Sequence, residues 1–316
     1  MEFPSELRYR TEQLVSGQDI RKMTAAAEDI SRRYRSESGT GKNLVSGELD
    51  VTAYAAVRMP ATFGAVSKAL ELALKQTDVE IDSILDVGAG TGAASHAAQM
   101  LTECENITCL EREPRMIALG EELMRVRDIS AQWIRADISS GDIPYSADLV
   151  LSSYCLNELS ASARKAAVLK LWRSTEKLLL IVEPGTPEGF SQLKAARELL
   201  IAEGGHIVAP CPHNEVCALP EGDWCHFTAR VARSKLHKQL KGGDAPYEDE
   251  KFCFLAVSRE QCEGADRILR HPKIESGKIT LHLCTKQGII DKIVTKKSPL
   301  FKMARKSDSG DAFPCE

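Results

Sequence analysis

The sequence predicts an α/β fold, a doubly wound and mostly parallel sheet. Three observations predict it. Short apolar runs alternate with helix-like segments from residue 82 to residue 185, the loops between them are short, and the first run ends in glycines that open a helix.

The elements follow in order. Residues 4–75 read as helical, because apolar positions recur at three and four in LRYRTEQLV, DIRKMTAAAEDISRRYR and ATFGAVSKALELALKQ. SESGTGKN (36–43) is a flexible break, and Pro60 suits the first turn of the third helix, where its missing N–H costs nothing. SILDVG (83–88) is the first strand and AASHAAQMLTE its helix; NITCLERE (106–113) is the second, followed by PRMIALGEELMRVR. AQWIRADI (131–138), ADLVLSSY (147–154) and KLLLIVEPG (177–185) are the next three, with the helix SARKAAVLKLWRST between the last two. Beyond Gly185 come a helix (FSQLKAARELLIAEG), a cysteine-rich segment, a basic helix TARVARSKLHKQLK (228–241) and a strand CFLAVS (253–258). Residues 273–297 read as a β-hairpin or small β-module with turns at Ser276-Gly277 and Gln287-Gly288. The expected organisation is a helical N-terminal region (1–78), a core (79–190), a cysteine-rich insertion with basic helix and return strand (191–262) and a C-terminal β-module (263–316).

At 316 residues and 43% hydrophobic content the chain can bury a sizeable core. It opens MEFPSELRYRTEQL, charged from the second position with no apolar h-region, and nowhere do eighteen apolar residues run together. A soluble, unexported, cytoplasmic chain without membrane contact is expected, and a monomer. Ten cysteines spread over a chain of this composition argue against a disulfide framework, so clustered thiols point to metal or reactivity. Net charge is only −4, but residues 226–316 carry 18 basic and 12 acidic side chains against 23 and 33 in the rest. A basic C-terminal third on an acidic body suggests a polyanion partner, nucleic acid first in line.

LDVGAGTG places Asp86, Gly88, Gly90 and Gly92 between the first strand and its helix. Glycines let backbone approach a ligand closely, and the helix N-terminus offers free N–H groups. Dinucleotide enzymes use nearly the same turn. The G-x-G-x-G spacing with an acid two residues earlier resembles class I, Rossmann-like methyltransferases that use S-adenosylmethionine. That cofactor carries an ammonium and a sulfonium, which a carboxylate suits better than it suits a pyrophosphate. Glu111 ends the second strand, where its two oxygens could take ribose hydroxyls, and Asp137 ends the third, within reach of an adenine amino group. Ser152, Ser153, Asn157 and Glu158 fall near the expected methyl group, but the Asn- or Asp-Pro-Pro-aromatic tetrapeptide of amino-methylating enzymes is absent, and Cys155 reads as packing. No catalytic residue is assigned.

APCPHNEVCALPEGDWC (209–225) holds Cys211, Cys217 and Cys225, with five and seven residues between them. Zinc fingers prefer a tighter pair, and these gaps fit an iron–sulfur cluster at least as well. Free cysteine is often simply buried, yet this stretch has no helical or strand period that would give the thiols one core face. For a fourth ligand, Cys253 looks like core, Cys262 lies in a charged loop and Cys315 in the tail. Cys284 is best placed, on the outer face of ITLHLC with Thr280 and His282. His213 or His226 could complete a Cys3His site instead.

RYR (33–35), AYAAVRMPAT (53–62), LDVGAGTG, VEPGTPEGF (182–190), APCPHNEVC, DWCHFTARVARSKLHK (223–238), YEDEKFCFLAVSR (247–259) and LHLC together resemble the methyltransferase-like small-ribosomal-subunit assembly family, over nearly the whole chain. The resemblance implies an S-adenosylmethionine pocket and a [4Fe-4S] cluster on Cys211, Cys217, Cys225 and Cys284, with zinc as the alternative. It also implies association with the maturing small subunit and its 16S-type rRNA, as a methyltransferase or as a methyltransferase-like assembly factor. A small-molecule or protein methyltransferase with a structural zinc is the alternative function. The absence of a targeting segment favours a bacterial member.

In the basic helix, Arg230, Arg233, His237 and Lys241 would share one face, flanked by Lys235 and Lys238, and could track RNA phosphates. KKSPLFKMARK (296–306) adds five basic side chains. Neither stretch carries base-specific information, so recognition of folded rRNA by shape is expected.

Overall fold

The structure is a computed structural model that describes residues 2–36, 39, 45 and 47–314. Most of the expected break at 36–43, and Cys315, lie outside the described residues. The N-terminal helices are α1 (Ser5–Ser16), α2 (Ile20–Ser36), α3 (Glu48–Val57) and α4 (Met59–Leu74), and Pro60 sits in the first turn of α4. Alternation follows as expected: β1 (Ile84–Val87), α5 (Ala93–Thr102), β2 (Ile107–Glu111), α6 (Pro114–Val126), β3 (Ala131–Arg135), β4 (Ala147–Ser153), α7 (Ala161–Arg173), β5 (Thr175–Pro184) and α8 (Pro187–Ala202). The remainder is β6 (His206–Ala209), β7 (Phe227–Ala232), α9 (Lys235–Lys241), β8 (Tyr247–Ser258), β9 (Arg267–Ile268), β10 (Lys273–Glu275), β11 (Lys278–Thr285), β12 (Gly288–Thr295) and α10 (Phe301–Lys306). Among the described residues no helix is long and apolar enough to cross a membrane.

The main sheet runs β3-β2-β1-β4-β5-β8-β6, with β7 also on β8. Neighbours from β3 to β5 are parallel, and β8 is antiparallel to each strand it touches. The sheet therefore continues past residue 190, taking its last strands from the segment expected to be an insertion. Residues 178–183 of β5 are all buried, as a strand covered on both faces requires, and alternate side chains enter different cores. Leu178, Leu180 and Val182 join the core made with α4, α5 and α6, while Leu179 and Ile181 join the core made with α7 and α8. This is the doubly wound, mostly parallel α/β sheet the sequence predicts, with one antiparallel strand between β5 and β6.

The expected basic helix over 228–241 is not one helix. Phe227, Ala229 and Val231 are buried while Arg230 and Ala232 face out, the period of a strand, so residues 227–232 pair with β8 and only α9 is helical. The helical spacing of the charges masked the apolar alternation beneath them. Arg230 binds Asp249 directly across the pair through Nε (2.8 Å) and Nη2 (3.0 Å), and Lys241 binds Glu248 at 2.5 Å. Arg233 donates to the Gly242 carbonyl. Of the basic face, Arg233, Lys235 and Lys238 make no ion pair among the described residues. Helix α9 buries Leu240 against α2 and α3.

The β-module closes on a core of its own, Ile268, Ile279, Leu281, Leu283, Val294, Ala304 and Phe313. It is fastened to the main body by arginines. Arg267 donates to the carbonyls of Pro210 (3.2 Å) and Gly310 (2.9 Å), and Arg270 reaches Asp223 and the Trp224 carbonyl.

Candidate functional site

The strand order reverses between β1 and β4, and ligands of open α/β sheets bind outside the carboxyl ends of the strands at such a point. A cleft lies there, enclosing about 920 Å³ including its open mouth. Gly88 and Gly90 line it with Glu111, Arg112, Asp137, Tyr154 and Glu158, beneath Tyr34 and Tyr54 from α2 and α3. All three glycines of the turn have positive φ: 76° at Gly88, 57° at Gly90 and 83° at Gly92. A Cβ on Gly88 would stand 2.6 Å from the Cys155 Sγ.

The acids do not all act as the sequence suggests. Asp86 is fully buried beneath the turn, not on the cleft wall. Its Oδ2 accepts from the Ser95 N–H (3.1 Å) and hydroxyl (2.6 Å), because Gly92 begins α5 without a side chain to cap it. Its Oδ1 has no hydrogen-bond partner among the described residues. Glu111 lines the cleft, yet Oε1 already accepts from the N–H groups of Arg112 and Glu113 (2.8 Å each) and Oε2 from Gly90 (2.8 Å). Both oxygens thus fasten the turn, and Oε2, with one accepted bond, keeps more capacity for a ribose hydroxyl. Asp137 lies two residues past β3 and holds Ser139 by its N–H (2.8 Å) and hydroxyl (2.6 Å). Burial works to raise its carboxyl, but those bonds hold it below the ordinary value. Gly92 does not line the cleft; its Cβ would press on Met124.

Sequence reasoning gave no site role to Tyr34 and Tyr54. Both sat inside quoted motifs, but only tertiary packing carries the N-terminal helices over the turn. Tyr154 takes φ 54°, unusual for a bulky residue, and its hydroxyl donates to Glu250 (2.9 Å), which also meets Arg58 (3.4 Å). Glu158 pairs with Arg112 at 3.2 Å, and burial pushes its carboxyl up to about 7. Glu183, fully buried, accepts from the Leu156 (2.9 Å) and Asn157 (3.2 Å) N–H groups and is raised by burial to about 8. Burial also lifts the Cys155 thiol well above its ordinary range, so it is a neutral packing group.

A pH dependence follows. Glu158 and Glu183 ionise near 4.5 when unfolded but only near 7 and 8 in the fold, so the folded chain binds more protons between those values and loses stability as pH rises. Asp86, raised to about 6, acts in the same direction at lower pH. His96, buried and lowered to about 3, acts oppositely, but only below 6.5. The melting temperature of the ligand-free chain should therefore fall between about pH 6.5 and 8, and Glu183→Gln should flatten that fall. An unchanged slope in the variant would refute it.

The second site is a cavity of about 560 Å³ lined by Cys211, Cys217, Cys225 and Cys284, with Cys253, Arg197 and apolar neighbours. Cys284 comes from β11 and the other three from the loops joining β6 to β7. As placed, the thiols do not close on one point: among the described residues no three Cys, His, Asp or Glu side chains could hold a single metal ion. Burial raises Cys211, Cys225 and Cys284, the last to about 12. His213 and His226 are not on the cavity wall, and Cys262 donates to the Ile207 carbonyl. Cys253 donates to the Pro184 carbonyl (3.1 Å).

Comparison with known families decides the kinship. The family described as "Mitochondrial small ribosomal subunit Rsm22" matches residues 48–314. The chain belongs to the Rsm22 family. Its relatives include the human "Ribosome assembly protein METTL17, mitochondrial", 28% identical over 83% of this chain and 62% of that protein. Rsm22-cox11 tandem protein 2 of Schizosaccharomyces pombe is 22% identical over 84% of this chain and 43% of its own length. This Rsm22-family chain thus spans about three fifths or less of those relatives. The solved magnesium protoporphyrin IX methyltransferase of Synechocystis PCC 6803 is similar at 12% identity and a TM-score of 0.43, over 73% of this chain and 90% of that one.

Proposed function

We propose that this Rsm22-family chain is an S-adenosylmethionine-binding, iron–sulfur assembly factor of the small ribosomal subunit. The observation that carries the reading is the acid-walled cleft at the switch point of the sheet. Glu111, Glu113, Asp137, Asp142 and Glu158 surround it with Arg112 among them, a balance that favours a sulfonium and an ammonium and disfavours a pyrophosphate. Gly88 and Gly90 bring backbone close to the ligand, Asp86 holds the turn from beneath through Ser95, and Glu111 and Asp137 offer oxygens to ribose and adenine. Bound S-adenosylmethionine would supply an electrophilic methyl group.

The chemical end of the cleft favours binding over transfer. Tyr154 is committed to Glu250, Glu183 to two backbone N–H groups and Glu158 to Arg112, while the Cys155 thiol stays protonated. None is a disengaged base.

The four-thiol cavity fits a polynuclear cluster better than one ion, because the thiols border a space and do not converge. Cys211, Cys217, Cys225 and Cys284 would hold it, and bound there it would supply a covalent tie between the loops and the β-module. Lys235, Lys238 and the lysines of the module would face rRNA phosphates.

The test is co-sedimentation with immature small-subunit particles in the presence of methyl-labelled cofactor. The chain should travel with the particles and the label should stay on the cofactor. Transfer of label to rRNA would make it an enzyme, and no co-sedimentation would overturn the assembly reading.

A further inference from the structure

Two arginines beside the thiol cavity have no role in the site as described so far. Arg197 of α8 is 4% exposed and Arg267 of β9 is 1% exposed, and a buried guanidinium needs an opposite charge or a full set of acceptors. Among the described residues neither makes an ion pair with a carboxylate. Arg197 gives Nη2 to the carbonyls of His213 (2.8 Å) and Glu215 (2.7 Å), both within the loop between Cys211 and Cys217. Arg267 gives Nε to the Pro210 carbonyl, directly before Cys211, and Nη1 to Gly310. One N–H-bearing atom on each stays without a partner, Nε of Arg197 and Nη2 of Arg267. The thiols lie within electrostatic reach: Cys211 and Cys284 of Arg197, and Cys211, Cys225 and Cys284 of Arg267.

We infer that Arg197 and Arg267 are the built-in counter-charge of the thiol site. They brace the loop around Cys211 with part of each guanidinium and turn the rest toward a negatively charged, thiolate-held cluster. The inference rests on the cluster reading above. Four thiolates around an iron–sulfur core leave net negative charge in a buried apolar cavity, where cations and hydrogen bonds to sulfur set both affinity and reduction potential. Arg197 and Arg267 act through the ligands and are positioning residues. One-electron reduction by an external donor adds negative charge to the cluster, so loss of either cation makes reduction harder.

The test uses full-length wild type, Arg197→Met, Arg267→Met, Arg197→Lys and Arg267→Lys, purified anaerobically. Iron content, loss of iron to a chelator, the midpoint potential and the melting of the metal-free chain are measured. Both Met variants should show a more negative potential and lose iron on the order of tenfold faster, while the melting of the metal-free chain reports separately what the lost loop bonds contribute to the fold. Each Lys variant should restore the potential while still losing iron faster, because it keeps the charge and lacks the brace. Wild-type potential and iron loss in the Met variants would overturn the inference. Should a Met variant not fold, the Lys pair decides: a potential shifted from wild type would overturn it. Wild type without iron would overturn the cluster reading itself, a result distinct from wild type with iron and unaffected variants.

Discussion

Gly90→Arg abolishes S-adenosylmethionine binding and leaves the chain folded. Gly90 has φ +57°, where any side chain is strained by ~1–3 kcal/mol. Its Cβ would stand 3.6 Å from the Tyr54 hydroxyl, so the fold can receive the first atom. The guanidinium must then extend within the cleft that Tyr54, Glu111 and Asp137 surround. It would occupy ligand space and also place a cation where the walls select one, pairing with the same carboxylates. Affinity should drop by roughly a hundredfold or more, at 1.4 kcal/mol for each factor of ten. Gly222→Ala separates strain from occlusion, since Gly222 also has positive φ, +86°, with nothing within 4 Å of a Cβ and far from the cleft lining. Equilibrium dialysis should find that variant binding normally. Wild-type affinity in Gly90→Arg would remove the cofactor from this cleft.

The second large effect is at the thiols. Cys284→Ser should lose most of the iron and detach the β-module, whereas Cys262→Ser should do neither. Thiolate-metal sites of structural type contribute on the order of 10 kcal/mol to folding, and among the described residues Cys284 is the only cavity thiol contributed by the module. Without it the module keeps the contacts of Arg267 and Arg270 and the close approach of Gly310 to Leu72 and Phe227, with no thiol tie. Limited proteolysis between residues 259 and 266 reports detachment, and metal analysis reports the iron. Equal iron in Cys284→Ser and wild type would exclude Cys284 as a ligand. Cys253→Ser is a useful contrast, because its thiol lines the cavity but is spent on the Pro184 carbonyl.

Much of the fold was legible because its signals are local. The five parallel strands each show a short apolar run before a turn, and the outer-face position of Cys284 beside Thr280 and His282 was readable from alternation alone. What escaped notice is set by tertiary packing or by competing patterns. In β7 the charges happen to repeat at helical spacing over an apolar alternation of period two. The first half of β8, YEDEK, lay outside the expected strand, but Asp249 is the strand partner of Arg230 and Glu248 pairs with Lys241 of α9. Asp86 was read as a carboxylate facing the ligand, but it is buried beneath the turn and bonds to Ser95, since a capping glycine transfers that duty to the nearest carboxylate. Tyr34 and Tyr54 reach the cleft only because α2 and α3 fold back over a turn some forty residues away in sequence.

Strand β8 also fixes when the molecule can exist. It lies between β5 and β6, so β6, complete by residue 209, has no sheet partner until residue 258 has been made. During synthesis the helices and β1 to β5 can assemble as they emerge, but the far edge of β5 stays open for more than seventy further residues. The cysteine loops are translated inside that interval, and Cys284 follows after it. The nascent chain therefore passes through a stage with an unpaired apolar strand edge and three exposed thiols, the stage at which a chaperone would have most to protect.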